Sequence, residues 1–302
     1  MTKLNPNYST TRLVTHERPT IEEPPGAAFK TVLFLPEGEG RQGEGGLRTQ
    51  GYFKRSLPDK PLITVITVVF NGAQHLEETI LSVIGQTYDN VEYIIIDGGS
   101  TDGTLDIIRK YEHAVDYWMS EKDEGIYDAM NKGIDLASGE WSNFMNAGDR
   151  FYSNPVISDI FKEKIYTGIE VIYGRHEVRY SSGRKRIPAK TGELKSLWKG
   201  SQFSHQSSFV ITYSYKKYKF NCCSKIVADF EFFYLGWKNN MSFYPIRDIV
   251  SSIEAGGISD FNRIDTIIGF WGVVDKKLKV NLFYLISLLR ELVKEIIKKV
   301  VR

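Results

Sequence analysis

Between residues 61 and 150 the chain switches repeatedly between two apolar patterns. LITVITVVF (62–70) and VEYIII (91–96) are unbroken runs of β-branched and aromatic residues, as expected of strands buried on both faces. Between them, QHLEETILSVIGQ (74–86) sets Leu76, Ile80, Val83 and Ile84 at helical spacing, with acids in the first turns. A second helix is predicted over 104–111. AVDYWMS (114–120) predicts a third strand, GIYDAMNKGIDLA (125–137) a third helix, and EWSNFMNAGD (140–149) a fourth strand. Such alternation predicts an α/β fold with a mostly parallel central sheet and right-handed crossovers.

Outside this block the pattern changes. Residues 1–60 carry Pro24-Pro25, the glycine-rich run EGEGRQGEGGLRTQG and a short apolar island at 29–35, which predicts an irregular N-terminal arm. Arg41, Arg48, Lys54 and Arg55 lie in or beside its Gly43–Gly51 segment, so it reads either as a solvated linker or as a face for an anion. Beyond Phe151 the alternation dissolves. A helix at 155–164, a hairpin over 169–188, a short helix at 193–198, a strand at 206–212, an aromatic-faced helix at 227–238 and a last strand at 241–253 are expected, then a glycine loop at 254–259. Residues 278–302 are expected to form a basic amphipathic helix. Leu278, Leu282, Leu285, Leu289, Leu292 and Ile296 make one stripe, with Arg290, Lys294, Lys298, Lys299 and Arg302 largely elsewhere. It reads either as a docking helix or as one lying in a membrane interface.

Composition adds little: 42% hydrophobic and 25% charged residues are ordinary, and a net charge of +2 gives no general field for nucleic acid. The cysteines are the adjacent pair Cys222 and Cys223, which suits a reducing cytoplasm better than a disulfide framework. MTKLNPNYSTTRLVTHERP lacks the apolar core of a secretory signal, and no apolar run approaches the ~20 residues of a spanning helix. A cytoplasmic, membrane-touching protein is the expectation.

Candidate chemistry sits where the strands end. VEYIIIDGGSTDGT (91–104) breaks from strand to turn at Asp97; Glu121–Glu124 and Asp149 follow the third and fourth strands. In a parallel sheet all three acidic turns emerge at one edge, where α/β proteins bind ligands. Carboxylates there can accept from a nucleoside and hold a divalent cation. Other nucleotide or catalytic signatures fail. Gly98, Gly99 and Gly103 do not give GxGxxG, and neither GxxxxGK[ST] nor GxSxG occurs. A calcium loop from Asp97 would need Glu where Ile108 stands.

ITVVFNG (66–72), SVIGQTY (82–88), IIIDGGSTDGT (94–104) and EKDEGIYDAMNKGI (121–134) resemble the donor half of family 2 glycosyltransferases, inverting enzymes of the GT-A fold. FMNAGD (144–149), SHQSSF (204–209) and ADFEFF (228–233) extend the resemblance, which is similar to the colanic-acid and O-antigen branch and spans about residues 61–260. It implies a donor half at 61–150 and an acceptor half at 151–277. Val68 to Phe70 would line a uracil pocket, with Asp97 accepting from the base and Asp123 helping to hold the nucleoside. Asp128 and Asn131 would border the donor sugar or buttress its loop. Asp149 would bind donor and metal, Mg²⁺ or Mn²⁺, and Asp229 would be the general base. Many relatives have two acids where this chain has Gly148 before Asp149; His205 is a second candidate metal contact, or a structural histidine.

The implied partners are a nucleotide-diphospho-sugar, UDP-linked, and a glycan or lipid-linked oligosaccharide acceptor at the inner membrane, with no nucleic acid. Two rivals remain. One is a catalytically silent sugar-nucleotide-binding or scaffold protein. The other is a sugar-phosphate nucleotidyltransferase, for which VVFNGAQHL lacks the glycine-rich basic loop after the first strand.

Overall fold

The computed structural model describes residues 4–300 except 22, 24, 25, 39 and 163–165. Pro24-Pro25, Arg302, the Lys299 side chain and the end of the helix expected at 155–164 lie outside what is described. Ten strands of the described residues form one sheet. At its centre β2 (Ile63–Val69) pairs in parallel with β3 (Val91–Asp97) and β5 (Trp141–Phe144), and β3 pairs in parallel with β4 (Tyr117–Ser120). All seven residues of β2 and of β3 are buried, which explains their unbroken apolar runs. Side-chain alternation divides them between two cores. Ile66, Val68, Ile94 and Ile96 join one cluster, while Ile63, Val65, Val69, Tyr93 and Ile95 join the other.

The crossovers are α1 (Leu76–Ile84), α2 (Thr104–Tyr111) and α3 (Ile126–Leu136), each burying the stripe its periodicity marks. The sheet then continues through antiparallel β9 (Ser208–Ile211), followed by β7 (Val171–Arg179) and β10 (Phe243–Glu254), which are parallel to each other. Short β6 (Arg150–Phe151) closes this edge against β10. β8 (Lys185–Arg186) completes the expected hairpin with β7, and α4 (Val156–Phe161) precedes it. Of the helices in the second half, α6 (Ala228–Lys238) follows the expected bounds closely. The sequence pattern did not reveal α5 (Thr212–Tyr218), α7 (Ile258–Phe261) or α8 (Arg263–Val273).

The arm departs most from expectation. β1 (Gly43–Gly45) adds an antiparallel strand to β4, and the 3₁₀ turn Ser9–Thr11 is buried. Of its four named basic residues three face inward, while Arg55 is exposed and pairs with Glu17 at 3.1 Å. Arg48 Nη2 meets Glu92 Oε1 at 2.5 Å and Lys54 Nζ meets Asp116 Oδ2 at 2.6 Å, all nearly fully buried. Arg41 is paired with Glu121 at 3.0 Å and with Glu44 at 2.8 Å. The segment is therefore neither a solvated linker nor an open cationic face. Sequence shows the arginines and lysines, but their partners lie up to 80 residues away. The last helix, α9 (Leu278–Val300), anchors its first turns by burying Val280 and Tyr284, whereas Leu282, Leu285, Leu289, Leu292 and Ile296 are exposed.

Candidate active site

Because β2, β3, β4 and β5 run parallel, their C-terminal ends gather the acidic turns at one edge. The turn after β3 is organised by Asp97 itself. Its carboxylate is 0% exposed. It accepts from the Gly99 and Ser100 N–H groups at 3.2 and 3.0 Å, from the Ser120 hydroxyl at 2.6 Å, and from the Ser100 hydroxyl. These donors come from its own turn and from the end of β4.

Asp123 takes the open position. Its Oδ1 accepts from the Gly125 N–H at 2.9 Å, and its other oxygen lies over Gly98, where any side chain would overlap it. A Cβ at Gly98 would also touch the Phe70 ring at 3.4 Å. Gly98 thus lets a carboxylate and an aromatic face converge; Phe70 is 66% exposed. Burial, with the neighbouring Asp128 and Asp97 charges, raises the Asp123 carboxyl above its ordinary value. Val68 is buried in the core beneath, and its carbonyl accepts from the Ala147 N–H at 3.3 Å.

Asp128 and Asn131 serve α3. Asp128 accepts from the Glu124 N–H at 3.1 Å and pairs with Lys132 at 3.4 Å. Asn131 clamps the backbone of Phe220, donating to its carbonyl and accepting from its N–H, both at 2.9 Å. Asn131 thereby ties α3 to the backbone at Phe220, just past the end of α5.

Asp229 lies in the first turn of α6, but the residue capping that helix is Val227, which makes no side-chain cap bond. The Asp229 carboxylate points elsewhere. Its Oδ1 accepts from the Tyr127 hydroxyl at 3.0 Å, and its Oδ2 lies 3.0 Å from His205 Nδ1. Burial alone would push the carboxyl up. The His205 hydrogen bond and charge, helped by the Phe230 N–H and Tyr127, outweigh it and hold Asp229 below its ordinary value. It stays ionised at neutral pH, and its side chain remains 23% exposed. Tyr127 escaped the sequence reading although it sits inside EKDEGIYDAMNKGI, because nothing there shows that it meets a residue 102 positions on.

Asp149 is buried, at 9% exposure. Its Oδ2 accepts from the Gln206 amide at 2.6 Å and its Oδ1 from the Glu254 N–H at 3.1 Å. Burial raises its carboxyl to about 6 despite those bonds. The other nitrogen of His205, Nε2, lies 3.2 Å from Asn146 Nδ2, so both ring nitrogens are engaged. Asn146 Oδ1 is buried with no partner among the described residues. Among the described residues no three His, Cys, Asp or Glu side chains converge as a closed metal shell. What the edge offers is hard oxygen, the Asp149 carboxylate and the orphaned Asn146 oxygen. That suits Mg²⁺ or Mn²⁺ completed by ligand oxygens and water.

The profile of glycosyl transferase family 2 matches residues 64–228. An uncharacterized glycosyltransferase of Mycobacterium tuberculosis is 42% identical over 103 residues, 34% of this chain and 39% of that protein. A PGL/p-HBAD biosynthesis glycosyltransferase of Mycobacterium bovis is 35% identical over 103 residues, 33% of this chain and 40% of that one. The matches thus span about two fifths of these relatives' own length. Among solved structures, Staphylococcus aureus TarS 1-349 in complex with UDP aligns with TM-score 0.52 at 17% identity, covering 74% of this chain and 69% of that chain. The mannosyltransferase PcManGT of Pyrobaculum calidifontis, in complex with GDP-Man and Mn²⁺, aligns with TM-score 0.54 at 16% identity, covering 70% and 64%. These likenesses carry the fold: mixed α/β with a largely parallel sheet, the GT-A architecture.

Proposed function

The chain belongs to glycosyl transferase family 2, and from that premise we propose that it moves a sugar, with inversion, from a nucleotide-diphospho-sugar to a hydroxyl of a glycan or lipid-linked oligosaccharide. The observation that carries this reading is Asp229: an ionised carboxylate, partly open, fixed by Tyr127 and His205 at the edge where Asp123 and Asp149 gather. In the proposed reaction the acceptor hydroxyl attacks the anomeric carbon opposite the nucleoside diphosphate. Asp229 takes the hydroxyl proton, and the anomeric C–O bond breaks with its electron pair leaving on the diphosphate. Direct attack by one base needs no second carboxylate nucleophile and inverts the centre. His205 and Tyr127 hold the base in place.

The nucleoside is proposed to stack on Phe70 and hydrogen-bond to Asp123, with Asp97 shaping the loop beneath. Asp128 and Asn131 hold the adjoining helix and its contact with Phe220. Asp149 faces the diphosphate. A Mg²⁺ or Mn²⁺ ion held by Asp149 and the Asn146 oxygen would neutralise charge on the departing diphosphate. UDP is the preferred nucleotide, and the acceptor is shaped by residues 151–277, with the Gly256-Gly257 loop over it. The exposed stripe and cationic end of α9 support a lipid-linked acceptor reached at the inner face of the cytoplasmic membrane. No helix of the described residues is long and apolar enough to cross a membrane.

Nucleotide release from UDP- and GDP-sugars, measured with Mg²⁺ and Mn²⁺ for wild type, Asp149→Ala and Asp229→Ala, tests the reading. Turnover in wild type that both substitutions abolish is expected. Gly148, which leaves one carboxylate in the FMNAGD turn, favours the rival of a silent sugar-nucleotide-binding scaffold. Donor binding without turnover in wild type would establish that rival.

A further inference from the structure

β1 runs antiparallel to β4, so the residues just before it stand at the edge where β3 and β4 end. Gln42 is there, and its backbone N–H donates to the Ser120 carbonyl at 2.8 Å. Its side chain reaches across the end of β4 to the turn after β3. A Cβ built at Gly99 would lie 3.5 Å from Gln42 Nε2 and 3.3 Å from the Lys122 backbone nitrogen. At the adjoining Gly98 the side-chain neighbours are Asp123 and Phe70. Two consecutive glycines are thus bordered by Phe70 from the end of β2, Asp123 from the turn after β4, and Gln42 from the arm.

The arm is held firmly at this point. Arg41 donates to Glu121 Oε2 from Nε at 3.1 Å and from Nη2 at 3.0 Å, and to the Pro36 carbonyl at 2.6 Å. On the other flank the Tyr117 hydroxyl donates to Glu44 at 2.7 Å. Gln42 sits between these anchors, yet its own carboxamide is exposed and makes no hydrogen bond among the described residues. A pinned backbone with a free donor and acceptor suits recognition of a ligand edge.

We propose that Gln42 reads the nucleobase of the donor. This rests on the glycosyltransferase reading above, in which the base stacks on Phe70 beside Asp123. A carboxamide donates and accepts side by side, which matches the adjacent carbonyl and ring N–H on the pairing edge of uracil or guanine. The pairing edges of a pyrimidine and a purine stand at different distances from the ribose. A side chain anchored on β1 therefore suits one of them better than the other. Gln42 lies outside residues 64–228, so this contact comes from the arm and not from the segment the family profile matches.

The test is UDP and GDP affinity measured by isothermal titration calorimetry for wild type, Gln42→Ala and Gln42→Glu. The side chain is exposed and unbonded, so both variants should melt with wild type. The nucleotide that wild type prefers should bind about tenfold more weakly to Gln42→Ala, with a smaller change for the other. Gln42→Glu keeps an acceptor but loses the donor, and should show the same selective loss. Unchanged affinities, or equal weakening of both nucleotides, overturn the inference and leave the glycosyltransferase reading standing. Failure of wild type to bind either nucleotide overturns both.

Discussion

His205 Nδ1 stands 3.0 Å from Asp229 Oδ2, joining the strap before β9 to the first turn of α6. The contact turns a carboxylate that burial would neutralise into one that stays ionised. Asp229→Asn is expected to lower kcat by ~10²–10⁴-fold, the usual worth of a general base, with little change in donor KM. His205→Asn should cost less and should raise the pH at which activity appears, because Asp229 loses the contact that keeps it ionised. Steady-state kinetics across pH checks both.

Tyr127→Phe removes only the hydroxyl that donates to Asp229 Oδ1 at 3.0 Å. A hydrogen bond to a charged group is worth ~1.5–3 kcal/mol, so kcat/KM should fall about tenfold or more while the core packing persists. Unchanged kcat/KM would remove Tyr127 from the site.

Asp97 and Asp123 should separate cleanly by assay. Asp97→Ala strips the acceptor from four buried or part-buried donors and should destabilise the fold by roughly 3 kcal/mol or more, seen as a lower Tm. Asp123→Asn keeps an oxygen for the Gly125 N–H and should leave Tm nearly unchanged while weakening nucleotide binding by calorimetry.

Glu92 links the arm to the sheet and reports on it through pH. Burial raises its carboxyl, but Arg48, Ser138 and Thr64 overcome this and bring it down from 4.5 to about 2. A depressed carboxyl contributes stability that is present above its unfolded pKa and lost as pH falls through the folded one. Glu92 should therefore supply about 3 kcal/mol at neutral pH, fading between about pH 4.5 and 2. Glu92→Gln should show that deficit at pH 7 and converge with wild type in acid, as read by denaturant unfolding.

Binding of α9 to lipid is best tested without deleting it, since Val280 and Tyr284 are core residues. Replacing exposed Leu289, Leu292 and Ile296 with Ser should preserve Tm and abolish co-sedimentation with anionic vesicles. Sedimentation equal to wild type would remove the membrane role from this stripe.

Local pattern alone determined much of residues 61–150. β2, β3 and α1 to α3 appear close to their expected residues, because a two-sided buried strand and an amphipathic crossover each write a distinct period into the chain. The gathering of acidic turns at one edge followed, since parallel strands end together. The second half was less legible. α5 and α7 are short, and α8 buries only Thr266 and Ile267, so no stripe marked them.

Tertiary structure decided which acid faces what. Asp97 and Asp123 look alike in sequence, yet one is buried and bonded to its turn and to Ser120 of β4, while the other fills the space over Gly98. Arg48 and Lys54 look solvent-bound, yet they are buried against Glu92 and Asp116. Asp229 meets Tyr127, and Glu254 meets the turn at Gly148, across roughly a hundred residues. Hydrogen bonds and ion pairs act over about 3 Å of space regardless of separation along the chain, and only the folded backbone sets those distances.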